Sequence, residues 1–507
     1  MISNFLFYTI GLIYLLALLV ILSYSFAQAY LLSRYLKNRR KEKPLPKIKD
    51  WPKVTVQAPV FNESAVIERL INALSNLDYP KDKLQIQILD DSTDDTTAKA
   101  SQLIARIREE KEVDITLLRR KERKGFKAGA LKDAMAHANG EFIAIFDADF
   151  IPNADFLRKT IPHFQNDKIG VVQTRWGHLN SEKMMLTELQ AFGLNGHFSI
   201  EQTGRNTAGH FINFNGTGGV WRKQCIEVSG GWSADTLTED LDLSYRAQMK
   251  GWDFLYLEDV EAPAELPETI SALKNQQHRW MKGGAECFRK NAVRLIRQSS
   301  ISFTNKIHGL FHLFNSSVFV GIFLISVLSV PIVYFRSLNS TFNSLFHYES
   351  IFFVSTLILY FYYFFSYKNS KNRFFILHWF DYSLRFFQFL AVSLGLSFNN
   401  AKAVLEAYLG KSSGFVRTPK FNGKKLNAKT VDYPKNKIQF LIEVFLLVYF
   451  FCGMLFAIFS GIYGLLPFQI LLILGYGYVV LLTYYDIFGT QENSQTLSQT
   501  SALSSEV

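Results

Sequence analysis

The sequence predicts an α/β domain, a mostly parallel mixed sheet flanked by helices, inserted between transmembrane α-helices. Three observations lead there. Long apolar runs lie toward both ends of the chain, with a more polar stretch from Lys49 to Ser300 between them. Within that stretch, short β-rich runs alternate with helical periodicity, the pattern of a parallel sheet. Acidic pairs fall where the β-rich runs end, on the carboxyl edge where α/β sheets bind their ligands.

The first apolar run, from about Phe5 to Leu32, exceeds the roughly 20 residues needed to cross a bilayer. Ala27-Gln28-Ala29 has the small residues of a signal-peptide cleavage site. No positive charge precedes the run, however, and a basic cluster follows it, so residues 1–36 are read as an uncleaved anchor with its N-terminus outside. In the soluble body, 37–300, Val54 to Ala58, Gln85 to Leu89 and Phe142 to Phe146 read as strands. Ser64 to Asn76 and Asp94 to Glu109 carry helical spacing and N-cap residues. No Gly-x-Gly-x-x-Gly follows the first strand, which argues against a dinucleotide-binding dehydrogenase.

The membrane part, 301–489, has apolar runs at about 309–335, 351–365, 438–463 and 467–485, giving five expected spans with the anchor. The run beginning near residue 374 differs. His378, Asp381, Arg385 and Gln388 recur at steps of three and four, so one helical face is polar. A helix over 374–410 is therefore expected along the membrane interface rather than across it. A basic loop, 411–425, follows, and the Ser/Thr/Gln-rich residues 490–507 are expected to be disordered.

The net charge of +11 raises the question of nucleic acid. Its location answers it. From Lys37 to Lys53 there are eight Lys/Arg against Glu42 and Asp50, and from Asn399 to Lys437 nine against Glu406 and Asp432. These two stretches carry more than the whole excess, and both flank apolar runs. Membrane lipids and the positive-inside rule explain them, so no nucleic-acid partner is expected. A multi-pass protein of the inner or plasma membrane follows, with its soluble domain cytosolic. Three cysteines, Cys225, Cys287 and Cys452, provide neither a metal spacing nor a disulfide framework, which fits a reducing compartment.

Several short strings carry chemistry. Asp147-Ala148-Asp149 ends an apolar strand, where hard carboxylate oxygens suit Mg²⁺ or Mn²⁺ and, through it, a diphosphate; two Asp in a surface turn is the alternative. Asp90-Asp91 ends another strand and either meets a nucleobase or ribose or forms an Asx turn. Arg123 to Leu131 sets Lys127 and two glycines just before a helix, either a diphosphate cradle or a solvated basic loop. In Thr238-Glu239-Asp240, Asp240 is a candidate base for an acceptor hydroxyl, or half of an acidic pair at a helix N-terminus. In Gln276-Gln277-His278-Arg279-Trp280, the guanidinium suits a diphosphate and the indole a pyranose ring, unless the Trp is structural.

Taken in this order, these motifs resemble family 2 inverting glycosyltransferases of the GT-A fold. More narrowly, they resemble the processive membrane branch of cellulose synthase catalytic subunits and plant mannan and glucan synthase-like proteins. The resemblance implies that Asp90, Asp91, Lys127, Gln276, Arg279 and Trp280 bind a UDP- or GDP-sugar. It implies that Asp147 and Asp149 hold Mg²⁺ or Mn²⁺ and that Asp240 is the catalytic base. Asn215, Gly216, Thr217 and Glu239, with Trp280, would meet the acceptor. Phe415-Val416-Arg417-Thr418-Pro419-Lys420 is similar to the gating loop of cellulose synthases, which implicates Phe415, Thr418 and Lys420. Gln173-Thr174-Arg175-Trp176-Gly177-His178-Leu179-Asn180 is closer to the mannan-synthase-like group.

The expected activity is hexosyl transfer to a growing β-linked polysaccharide, with envelope export partners implied. A non-processive transferase acting on a lipid-linked acceptor shares the donor motifs and stays open as the alternative. Intact carboxylates at every motif argue against a degenerate, non-catalytic domain.

Overall fold

The computed structural model describes residues 2–38, 45–338, 350–367, 375–412, 414, 420 and 436–503. Among them one seven-stranded sheet forms, from β1 (Val54–Val60), β2 (Leu84–Asp90), β3 (Asp114–Arg119), β4 (Phe142–Ile145), β5 (Ile169–His178), β6 (Gly219–Arg222) and β7 (Asp253–Ala264). The order is β3-β2-β1-β4-β6-β5-β7. All neighbours run parallel except β6, which is antiparallel to β4 and β5. The sheet is therefore mixed and mostly parallel, as expected. Its central strands are buried on both faces because helices cover both, and the polar side chains of β1 and β2 pair with each other, Thr55 with Gln85 and Gln57 with Gln87. Along β4 and just beyond it, Phe142, Ala144 and Phe146 pack into one core while Ile143 and Ile145 pack into the other. That is the period-two alternation of a strand.

Helices Ile67–Ser75, Thr96–Lys111 and Phe126–Ala134 make the crossovers that link the first four strands. Strands β2 and β3 lie on one side of β1 and β4 on the other, so the chain reverses direction across the sheet between β1 and β4. A crevice opens at such a switch point, beyond the carboxyl ends of the strands.

Among the described residues, four helices are long and apolar enough to cross a membrane: Phe5–Asn38, Phe303–Leu338, Lys437–Phe459 and Leu466–Phe488. They flank the α/β domain on both sides in sequence. The fifth expected span, 351–365, is the 17-residue helix Ser350–Ser366, short of the roughly 20 residues a span requires. The final helix continues as backbone helix to Leu503, through residues that the sequence reads as disordered.

Residues 374–410 differ from the single helix expected. They contain two helices, Phe375–Gly395 and Ser397–Tyr408, broken at Leu396. The first is amphipathic. Arg385 bonds Glu188 of the α/β domain, while Ile376, Phe380, Leu384 and Phe387 are exposed on the apolar side. Near its end it presses on the last long apolar helix. A Cβ added to Gly475 would lie 1.8 Å from the Ala391 carbonyl oxygen. Only glycine permits that backbone approach, as in tightly packed membrane helices.

Helix Ile270–Arg297 is one of the elements through which the α/β domain meets the apolar helices. Lys274 Nζ lies 2.6 Å from Glu443 Oε2 and 2.7 Å from Thr483 Oγ1, all buried. Asp486 Oδ2 accepts from the Ser271 amide, 2.9 Å away, at that helix's first turn.

Candidate active site

One cavity of about 350 Å³ lies beyond the carboxyl ends of β1, β2 and β4. Asp147 and Asp149 follow β4 into it. The Asp147 amide donates to Thr217 Oγ1 at 2.9 Å, which fixes the turn. Lys127, in the first turn of helix Phe126–Ala134, reaches across. Its Nζ is 2.6 Å from Asp147 Oδ1, 2.9 Å from the Gly216 carbonyl oxygen and 4.0 Å from Glu239 Oε1. Burial opposes its charge, yet the carboxylates of Asp147, Glu239 and Asp240 together hold the ammonium above its ordinary range. Asp149 is paired separately, with Lys420 Nζ 2.6 Å from its Oδ2.

Glu239 and Asp240 begin helix Glu239–Met249. Both line the cavity, so the acidic pair at a helix start and the cleft carboxylates are the same residues. Burial and the adjacent Glu239 carboxylate push Asp240 up to about 7, against the pull of Lys127. Gly216 stands directly against it with φ +80°, and a Cβ there would sit 3.0 Å from Asp240 Oδ2. The left-handed backbone and the close approach both require glycine.

Helix Ile270–Arg297 carries Gln276, Arg279 and Trp280 at steps of three and four, so one face presents all three to the cavity. His278 points elsewhere, with Nε2 2.9 Å from Glu406 Oε2 on helix Ser397–Tyr408. Trp280 lies near Trp176, ring centroids 6.4 Å apart, and Phe150 meets Trp176 edge-on at 5.4 Å. These rings make an aromatic wall at one end of the cavity.

At the other end lie Pro59, Phe61, Asp91 and Arg123. The Arg123 guanidinium stacks 3.4 Å from the Phe61 ring centroid. Arg120 clasps the Asp91 carboxylate at 3.0 and 2.5 Å. Asp90 is turned away and buried. Its carboxylate accepts from the Ser92 amide at 2.9 Å and the Thr97 hydroxyl at 2.6 Å, the Asx-turn arrangement.

The cavity thus gathers Asp91, Lys127, Asp147, Asp149, Asn215 and Gly216 with Glu239, Asp240, Gln276, Arg279, Trp280 and Lys420. Asp90 and Thr217 stand behind its wall. Phe415 and Thr418 lie outside the described residues. Sequence reasoning did not assign Trp176 and His178 to the site, although both line it. The available signal was their alternation at the end of β5, which sends both side chains to one face.

Residues 52–283 match the family described as "Glycosyltransferase like family 2". Glucomannan 4-beta-mannosyltransferase 1 of Oryza sativa subsp. japonica is 42% identical over 268 residues, covering 52% of this chain and 51% of that protein. Glucomannan 4-beta-mannosyltransferase 2 of Arabidopsis thaliana is 41% identical over 269 residues, covering 52% and 50%. The chain spans about half the length of the curated relatives it matches. Among solved structures, a mannosyltransferase from Pyrobaculum calidifontis in complex with GDP-Man and Mn2+ superimposes with a TM-score of 0.53 at 20% identity, covering 78% of this chain and all of that one. That likeness concerns the fold. Of the cavity residues, all but Ser412 and Lys420 fall inside the matched segment, and over residues 52–283 this chain carries a glycosyltransferase domain of family 2 with the GT-A fold.

Proposed function

We propose that the protein transfers a hexosyl group from a nucleoside-diphosphate hexose to the end of a growing β-linked polysaccharide, with inversion at the anomeric carbon. The observation that carries this reading is the half-buried Asp240 carboxylate, which lines the cavity and is raised to about 7. A base is most effective when its pKa lies near the working pH. Asp240 takes the proton of the acceptor hydroxyl as that oxygen bonds to C1 of the donor. The C1–O bond to the diphosphate breaks on the opposite face, so one displacement inverts the centre.

The leaving diphosphate gathers negative charge. Arg279 and the ammonium of Lys127 line the same cavity and suit that charge. Asp147 and Asp149, two hard carboxylates at a strand end, would hold a Mg²⁺ or Mn²⁺ ion. Once bound, such an ion adds electrostatic stabilisation of the diphosphate. Asp91, beside Phe61 and Arg123, is the residue suited to the nucleoside.

The curated relatives are named for 4-β-mannosyl transfer, which favours GDP-mannose and a mannan-type product here. The apolar helices and their basic flanks favour a multi-pass membrane protein with a cytosolic catalytic domain. Membranes containing the protein, incubated with Mn²⁺ and a panel of labelled GDP-mannose and UDP-glucose, test the donor assignment. Incorporation from GDP-mannose is expected, and incorporation from UDP-glucose alone overturns it.

A further inference from the structure

We propose that His178 accepts a hydrogen bond from a hydroxyl of the acceptor sugar, opposite the Asn215 amide, and so helps select which sugar is extended. This rests on the polysaccharide reading above.

Trp176 and His178 lie two residues apart on β5, so both project from one face of the strand, and both line the cavity. His178 Nε2 is buried and has no hydrogen-bond partner among the described residues. Buried polar atoms are seldom left so. The Gly177 backbone carbonyl favours a proton on the ring. Because Nε2 is the unpartnered nitrogen, a proton held on Nδ1 toward that carbonyl leaves Nε2 a lone pair. Burial and the Arg175 guanidinium hold the imidazole down to about 4, so it is neutral at ordinary pH. A bare lone pair repels a phosphate oxygen and suits a neutral hydroxyl. The group it meets is therefore sugar, not diphosphate.

Asn215 supplies the complement. Its Oδ1 accepts from Asn213 Nδ2 at 2.7 Å, which orients the amide, and lies 3.2 Å from His197 Nε2, while His197 Nδ1 lies 2.9 Å from Glu201 Oε2. Asn215 Nδ2 is then a donor, and it too is buried without a partner among the described residues. One acceptor and one donor, beside the Trp176 and Trp280 indoles, match the mixed polar and apolar surface of a pyranose. Glu201 and His197 act here as positioning residues for Asn215.

The test uses the full chain in detergent with Mn²⁺, labelled GDP-mannose and β-1,4-mannohexaose as soluble acceptor. His178→Phe keeps the ring bulk and removes Nε2. The acceptor KM should rise about 5- to 10-fold, the worth of one neutral hydrogen bond, with donor KM unchanged. His178→Gln, whose carbonyl oxygen can accept, should recover part of that loss. An unchanged acceptor KM, or a donor KM that moves equally, overturns the proposal. A measurement on the wild type alone stands beside the variants. Monodeoxy mannohexaoses, one hydroxyl removed at a time, should show a single position with a raised KM. A flat series overturns the proposal even if neither variant folds. Wild-type protein that hydrolyses the donor yet never extends the oligosaccharide overturns the polysaccharide reading, and this proposal with it.

Discussion

Lys420 Nζ lies 2.6 Å from Asp149 Oδ2, joining residues 271 positions apart in the chain. Both side chains are largely buried, 13% and 8% exposed, so solvent screens the pair only weakly. The ammonium takes one oxygen of a carboxylate proposed to hold a divalent cation, so the two would compete for it. Lys420→Met is therefore expected to bind Mn²⁺ roughly fivefold more tightly in the absence of donor. Titration of free Mn²⁺ by electron paramagnetic resonance reads this directly. An affinity identical to wild type would show that the pairing does not oppose the metal.

Asp240 ties rate to pH. A base must be deprotonated to act, so transfer should climb as pH rises through about 7 and fall on the acid side. Asp240→Asn should lose roughly 10²–10⁴-fold in transfer rate while still binding donor. Stability moves the other way. The folded value lies above the ordinary carboxyl value of 3.8, so the wild-type carboxyl favours the folded state while protonated, and that advantage is lost as pH rises from about 4 through 7. The melting temperature of Asp240→Asn should therefore gain on wild type between pH 5 and pH 8. A constant difference across that window contradicts the assignment.

Asp90 and Asp91 are adjacent in sequence and have different tasks. Asp90→Asn weakens the contacts to the Ser92 amide, the Thr97 hydroxyl and Arg119, and should cost about 1–3 kcal/mol in stability with donor KM little changed. Asp91→Asn should raise donor KM with a smaller loss in melting temperature. The reverse pattern would reassign the nucleoside contact to Asp90.

The Lys274–Glu443 pair couples the catalytic domain to the apolar helices. Lys274→Met alone leaves a buried carboxylate unpaired and should destabilise the protein by about 3–5 kcal/mol. Adding Glu443→Leu should recover most of that loss, because an apolar pair of similar volume replaces two desolvated charges. Thermal unfolding in one detergent, monitored on all three proteins, decides it. Additive losses in the double variant would exclude the coupling.

Much of this was legible in the sequence because it depends on local periodicity. The apolar run of β4 ending in Asp147 fixes where that carboxylate emerges, and Gln276, Arg279 and Trp280 share a face by helical spacing alone. What the sequence does not carry is direction set by tertiary partners. Asp90 turns inward because Ser92 and Thr97 meet it, which no pattern in Asp90-Asp91 reveals. Strand β5 was hidden because Gln173, Thr174 and Arg175 interrupt its apolar run, and with it the roles of Trp176 and His178. Gly395, just before the break at Leu396, lies against the Gly475 backbone, a contact the sequence does not bring together.

A cavity that extends a β-linked polymer makes product of high molecular weight. The most direct measurement is the size and linkage of product made by membranes given labelled GDP-mannose and Mn²⁺, with Asp240→Asn membranes as control. High-molecular-weight product that a β-mannanase degrades, absent from the control, is the predicted result. A single hexose on an organic-extractable lipid, formed at normal rate, would contradict it.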